Sequence, residues 1–102
     1  MLRSYPSARI PAHFEAENNL GSTLAMSGRL PEALTHFQRA VQLKPDYPDA
    51  YFNLAMAQAA LERPTEARAN AQKALEMARS QGNMALADGI QSWLATYRAR
   101  QP

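Results

Sequence analysis

The sequence predicts an all-α fold: a short right-handed superhelical array of antiparallel helix pairs, two repeats followed by a C-terminal capping helix. Three observations predict it. Residues 14–47 recur loosely at 48–81, so that a shift of 34 superimposes Ala16 on Ala50, Asn19 on Asn53, Leu20 on Leu54, Ala25 on Ala59 and Arg29 on Arg63. The same shift superimposes Glu32 on Glu66, Ala33 on Ala67, Gln38 on Gln72 and Ala40 on Ala74, nine identities in 34 positions. A fixed period of this length with helical content marks stacked two-helix units. Within each unit, Pro and Gly fall where helices start and stop, and alanine dominates the 46% hydrophobic fraction, so the core relies on close helix approach rather than bulk.

Residues 1–13 read as irregular, because Pro6 and Pro11 interrupt any continuous helix. Helical periodicity starts at Phe14, with Leu20, Gly21, Leu24 and Ala25 on one face, and stops at Ser27-Gly28, where glycine suits a left-handed turn. Pro31 then fits the first turn of a second helix, which has no use for its missing N–H, and Glu32 suits the positive end of that helix. Ala33, Phe37, Ala40 and Val41 carry it to Pro45. Pro48 and Asp49 open a third helix through Tyr51, Leu54, Ala55 and Gln58. Pro64 and Glu66 open a fourth through Ala67, Ala71, Ala74, Leu75 and Ala78, before a turn at 80–83. Leu86, Ile90, Trp93, Leu94 and Tyr97 form the apolar stripe of a fifth, with Arg98 and Arg100 in its last turn. The predicted helices are 14–27, 31–43, 48–61, 64–81 and 84–99. They give two repeats, 14–47 and 48–81, and a capping segment at 82–102.

Composition narrows the function classes. Eleven Lys and Arg against nine Asp and Glu leave a net charge of +2, and the positive residues are scattered. Nucleic-acid binding calls for a clustered basic stripe, so no nucleic-acid partner is expected. The absence of cysteine removes disulfides, thiolate metal sites and a cysteine nucleophile. No apolar run reaches the length of a signal peptide or membrane span, which predicts a cytoplasmic protein without a membrane partner. His13 and His36 lie 23 residues apart without a third ligand at metal spacing, so both are expected to be solvated. No nucleophile triad or phosphate loop is present, and neither enzymatic activity nor a cofactor is expected.

The motif residues resemble the tetratricopeptide repeat family, whose pattern runs W-x2-L-G-x2-Y, A-x3-F and then P. The first repeat supplies Leu20-Gly21, Leu24, Ala33, Phe37, Ala40 and Pro45, with Glu17 at the Trp position. The second supplies Tyr51, Leu54-Ala55, Ala67 and Ala74, with Gln58, Ala71 and Arg79 departing from the pattern. Gly21 and Ala55 fall where the helices of a pair cross, and small residues there allow close backbone approach.

In this family the resemblance implies that the first helix of each repeat lines a concave face that holds an extended peptide. The inward positions are Asn18, Asn19, Ser22 and Met26 in the first repeat, and Asp49, Phe52, Asn53 and Met56 in the second. Asn19 and Asn53, one repeat apart, are similar to the asparagine ladder in the repeats of O-linked N-acetylglucosamine transferases. Such an amide offers donors and an acceptor to a peptide backbone whatever its side chains. None of these positions is basic, which disfavours a clamp for terminal carboxylates. Phe52, Met26 and Met56 make an apolar strip that serves either packing or binding. The expected partner is a protein or peptide.

Arrays of this type generally need about three repeats to bury a continuous core. Two repeats and a cap leave the first helix without a preceding neighbour. The alternative reading is therefore a structural repeat fragment that self-associates as a homo-oligomer and has no dedicated ligand.

Overall fold

The computed structural model describes residues 13–101, and these are helical apart from short turns. The helices are α1 (His13–Met26), α2 (Leu30–Leu43), α3 (Pro48–Ala60), α4 (Pro64–Ser80) and α5 (Met84–Arg100). Each boundary lies within one residue of its expected place. The expected irregular segment falls outside the described residues, except that His13 already belongs to α1. Successive helices pack as antiparallel pairs, α1 with α2 and α3 with α4, and α5 closes the row against α4.

Proline begins three of these helices. Pro31, Pro48 and Pro64 occupy the first or second helical position of α2, α3 and α4. There a missing N–H costs nothing, and the fixed φ already suits a helix. Among α2 to α5, whose preceding residues are described, α5 alone starts on a capping side chain, with the Asn83 carboxamide accepting from the Leu86 amide at 3.3 Å.

Three helices end in one way. After α1, Gly28 takes φ +81°, and the Arg29 amide donates back to the Leu24 carbonyl at 2.9 Å. After α4, Gly82 takes φ +74°, and the Asn83 amide donates to the Ala78 carbonyl at 2.8 Å. After α3 the same turn is made by Glu62 at φ +61°, with the Arg63 amide on the Gln58 carbonyl at 2.9 Å. Left-handed backbone favours glycine, so a turn that fits Gly28 comfortably is strained at the matching residue of the second repeat.

Packing follows the small residues. A methyl group built onto Gly21 would lie 2.6 Å from Phe37 Cε1, inside the van der Waals surface of the ring. The Phe37 ring thus rests on the bare backbone of α1. Ala33, Leu34, Phe37, Leu54 and Ala57 form one buried cluster, which joins α2 to the next first helix, α3. Tyr51, Ala55, Ala71, Ala74, Leu75, Ala78, Ala87, Ile90 and Leu94 form the other, which joins α3, α4 and α5. Leu54 is 5% exposed beneath α2, whereas Leu20, its counterpart one repeat earlier, is 45% exposed.

The polar residues that depart from the family pattern, Glu17, Gln58 and Arg79, each meet a polar partner, Arg79 through Nη2 on Gln91 Oε1 at 2.9 Å. Glu17, at the Trp position, places Oε1 2.6 Å from His36 Nδ1 on α2. His36 is therefore partly buried and paired, not solvated as expected; the exposed His13 fits the expectation. Gln58 is 4% exposed, and its Oε1 accepts from Asn70 Nδ2 at 2.8 Å. Without that bond a buried carbonyl would be stranded, at a cost of about 1–3 kcal/mol.

Two substitutions of opposite sign test this account. Gly21→Ala is expected to destabilise the fold by about 1–3 kcal/mol in urea unfolding, with part of the loss recovered by Phe37→Leu. Glu62→Gly is expected to raise the unfolding midpoint, because relief of about 1–2 kcal/mol of left-handed strain outweighs glycine's extra chain entropy.

Candidate functional site: a groove between successive first helices

The first helices α1 and α3 stand side by side, separated by the sequence of one repeat. Between them runs a groove of about 420 Å³. Ser22, Ala25 and Met26 of α1 form one wall, and Asn53, Met56 and Ala57 of α3 form the other. Leu30 and Phe37 of α2 complete it. The lining is largely hydrocarbon and thioether, with Ser22 and Asn53 as its polar side chains. Met26 is 82% exposed, a large apolar group left in water at the groove's edge.

Four of the eight expected site residues, Ser22, Met26, Asn53 and Met56, come together here. The other four do not line the groove. Asn19 is exposed, and its backbone carbonyl accepts from Thr23 Oγ1 at 3.2 Å. Asp49 is exposed in the first turn of α3. Phe52 turns toward α5 and meets Trp93 edge-on at 5.7 Å, and Trp93 stacks on Tyr97 at 4.8 Å. For Phe52 the structure thus favours packing over binding. Asn18 is buried behind the groove, where its Oδ1 accepts from Asn53 Nδ2 at 2.9 Å.

Asn18 and Asn53, 35 residues apart, bond to each other, and of Asn19 and Asn53, expected to share the groove, Asn53 alone lines it. Adjacent helical residues point about 100° apart, and here Asn18 turns into the protein while Asn19 stays exposed. Sequence reasoning also missed Ala25, Leu30, Phe37 and Ala57. Their helical spacing had marked them as core or left them unassigned, and the groove reaches down to that core.

Asn18 is held from the far side as well. Its Nδ2 donates to the Tyr47 hydroxyl at 3.3 Å. The Tyr47 ring meets Phe14 edge-on at 5.1 Å, and Lys44 Nζ sits 5.5 Å from the Phe14 centroid. Burial, assisted by the charges of Asp49 and Glu15, raises the Tyr47 phenol above its usual value, while the bond from Asn18 opposes the shift. Among the described residues no three metal-ligating side chains cluster, and no helix is long and apolar enough to cross a membrane.

The tetratricopeptide repeat family model matches residues 13–80, two thirds of the sequence. The chain belongs to the tetratricopeptide repeat family. The peroxisomal targeting signal receptor of Eremothecium gossypii is 39% identical over 72 residues, which cover 71% of this chain and 12% of that receptor. The receptor of the same description from Saccharomyces cerevisiae is 48% identical over 40 residues, 39% of this chain and 6% of the receptor. The chain thus spans a small fraction of the length of these curated relatives. Among solved structures, the tetratricopeptide repeat domain protein of Salinibacter ruber superimposes with a TM-score of 0.79 at 20% identity, covering 86% of this chain and 98% of that one. That likeness concerns the fold. None of these relatives is an O-linked N-acetylglucosamine transferase.

Tyr47 supplies a pH test. A phenol whose folded pKa lies above its unfolded value favours the folded state, fully so below the unfolded value. That contribution is lost as pH rises through 10.0, the ordinary phenol value, and beyond it through the folded one. In an absorbance titration at 295 nm, a phenol is expected to ionise above the ordinary value of 10.0, and Tyr47→Phe should remove that phase.

Proposed function

We propose that this chain is a protein–protein interaction module that binds an extended peptide segment in the groove between α1 and α3. The observation that carries the reading is the groove's composition. Leu30 and Phe37 lie between walls that carry Ala25 and Met26 on one side and Met56 and Ala57 on the other, with Ser22 and Asn53 as the polar side chains of the lining. A folded monomer gains nothing by leaving Met26 in water, and methionine adapts its shape to varied apolar side chains. The peptide's backbone would pair with Asn53 and Ser22, the mode the asparagine ladder suggested, with one amide from the expected pair instead of two. Apolar side chains of the peptide would fill the space between Met26 and Met56. The relatives named as targeting signal receptors agree with a short peptide segment as the partner.

Selection of random peptides against the purified chain, followed by fluorescence anisotropy, tests this reading. Bound peptides should carry a large apolar residue. Met56→Glu should reduce affinity at least about tenfold by placing a charge in an apolar space. Asn53→Ala should weaken binding roughly three- to tenfold, the range for one backbone hydrogen bond, and Asn19→Ala should leave it unchanged. Equal effects of Asn19→Ala and Asn53→Ala, with the helical circular dichroism intact, would refute the assignment.

The exposure of Leu20 and Leu43 favours a second reading, assembly between copies of the chain. Light scattering at tens of micromolar should then report a mass above one chain, falling to the monomer in Leu20→Lys.

A further inference from the structure

We propose that Asn18 and Tyr47 act as positioning residues, forming a relay behind the groove that fixes which face of the Asn53 amide meets the bound peptide. The inference rests on the peptide-binding reading of the groove and adds to it a rule about the partner: the residue opposite Asn53 must carry a backbone N–H and so is not proline.

Both ends of the Asn18 carboxamide are occupied. Its Nδ2 donates to the Tyr47 hydroxyl at 3.3 Å, and its Oδ1 accepts from Asn53 Nδ2 at 2.9 Å. Asn18 is only 7% exposed, so neither group can exchange these bonds for water without opening the helix pair. Tyr47 is itself fixed, because it immediately precedes Pro48, the first residue of α3, and its ring rests on Phe14. The relay thus runs from the connection between the two repeats, through α1, to a side chain that lines the groove.

Its consequence falls on Asn53. The terminal torsion of an asparagine is broad and nearly two-fold, so an unrestrained carboxamide shows its donor or its acceptor with similar ease. Here one N–H of Asn53 is committed to Asn18. The Asn53 Oδ1 accepts no hydrogen bond from the described residues, although Asn53 lines the groove. The groove therefore offers the Asn53 carbonyl as an acceptor on the side away from Asn18, with the second N–H of Nδ2 beside it, and the complement of that carbonyl on an extended peptide is a backbone N–H. A peptide lying in the opposite direction, or with proline at that point, would lack the donor.

Two readouts separate the relay from the binding reading. The first needs no peptide: in the free protein, the Asn53 side-chain amide resonances should shift in both Asn18→Ala and Tyr47→Phe while the backbone spectrum keeps its pattern. If they stay in place, the relay is wrong. The second uses a selected peptide and its single N-methyl variants. On the unaltered protein, one N-methyl position should weaken binding roughly three- to tenfold, as for one hydrogen bond. In Asn18→Ala and Tyr47→Phe that penalty should fall below about twofold. In Asn18→Asp it should persist, because the carboxylate still accepts from Asn53 and can accept from the Tyr47 hydroxyl. An unchanged penalty in Asn18→Ala overturns the relay while leaving peptide binding intact. Failure of every selected peptide to bind overturns the binding reading, and the free-protein resonances still decide the relay.

Discussion

The contact between the Phe37 ring and the bare backbone at Gly21 sets the geometry on which the rest of the molecule depends. Helices that carry side chains at a crossing stay apart by the size of those side chains. At this crossing one helix contributes none, and an aromatic ring fills the space that a methyl group would need. That brings α1 and α2 close enough for Phe37 to reach past α1 and share a buried cluster with Leu54 and Ala57 of α3. One ring thus joins the first pair to the second and forms part of the groove floor. In the second repeat the corresponding positions hold Ala55 and Ala71, both fully buried in the cluster that joins α3, α4 and α5.

The polar departures from the family pattern have a common structural answer. His36 and Asn70 occupy the same position of α2 and α4, one repeat apart. In the first repeat that position answers Glu17, and in the second it answers Gln58. A buried polar group is expensive alone and nearly neutral when paired. The chain has replaced aromatic residues at two different places and supplied both partners from one place.

Much of the fold was legible in the sequence because its signals are local. Proline at a helix start, glycine after a helix end and small residues at a fixed period each act through the backbone, and the helix limits fell within one residue. Glu62 was not legible, since nothing in its side chain announces a left-handed turn, and only its alignment with Gly28 hinted at one. The site was half legible. The resemblance to the repeat family pointed to the first helices, and hence to Ser22, Met26, Asn53 and Met56 as lining of the candidate groove. It misled on the asparagines, because two stacked helices are displaced as well as repeated, and the residues in contact need not be those in register. Asn18 meets Asn53 across that displacement, and no composition or spacing rule marks it. The partial burial of His36 was hidden for a similar reason: Glu17 lies on another helix.

The proposed peptide binding rests on what the stacking leaves uncovered. Close pairing within each repeat buries the alanines, and the wider gap between successive first helices stays open as an apolar trough with one oriented amide. Enlarging the residue at position 21 would part the helices and alter the trough as well as the stability. The central claim, that an aromatic ring lies directly on a glycine backbone, is tested most directly by nuclear Overhauser contacts in solution. The account requires strong cross-peaks between the Gly21 α protons and the Phe37 ring protons. Absence of the Gly21–Phe37 peaks in a folded, helical sample would contradict it.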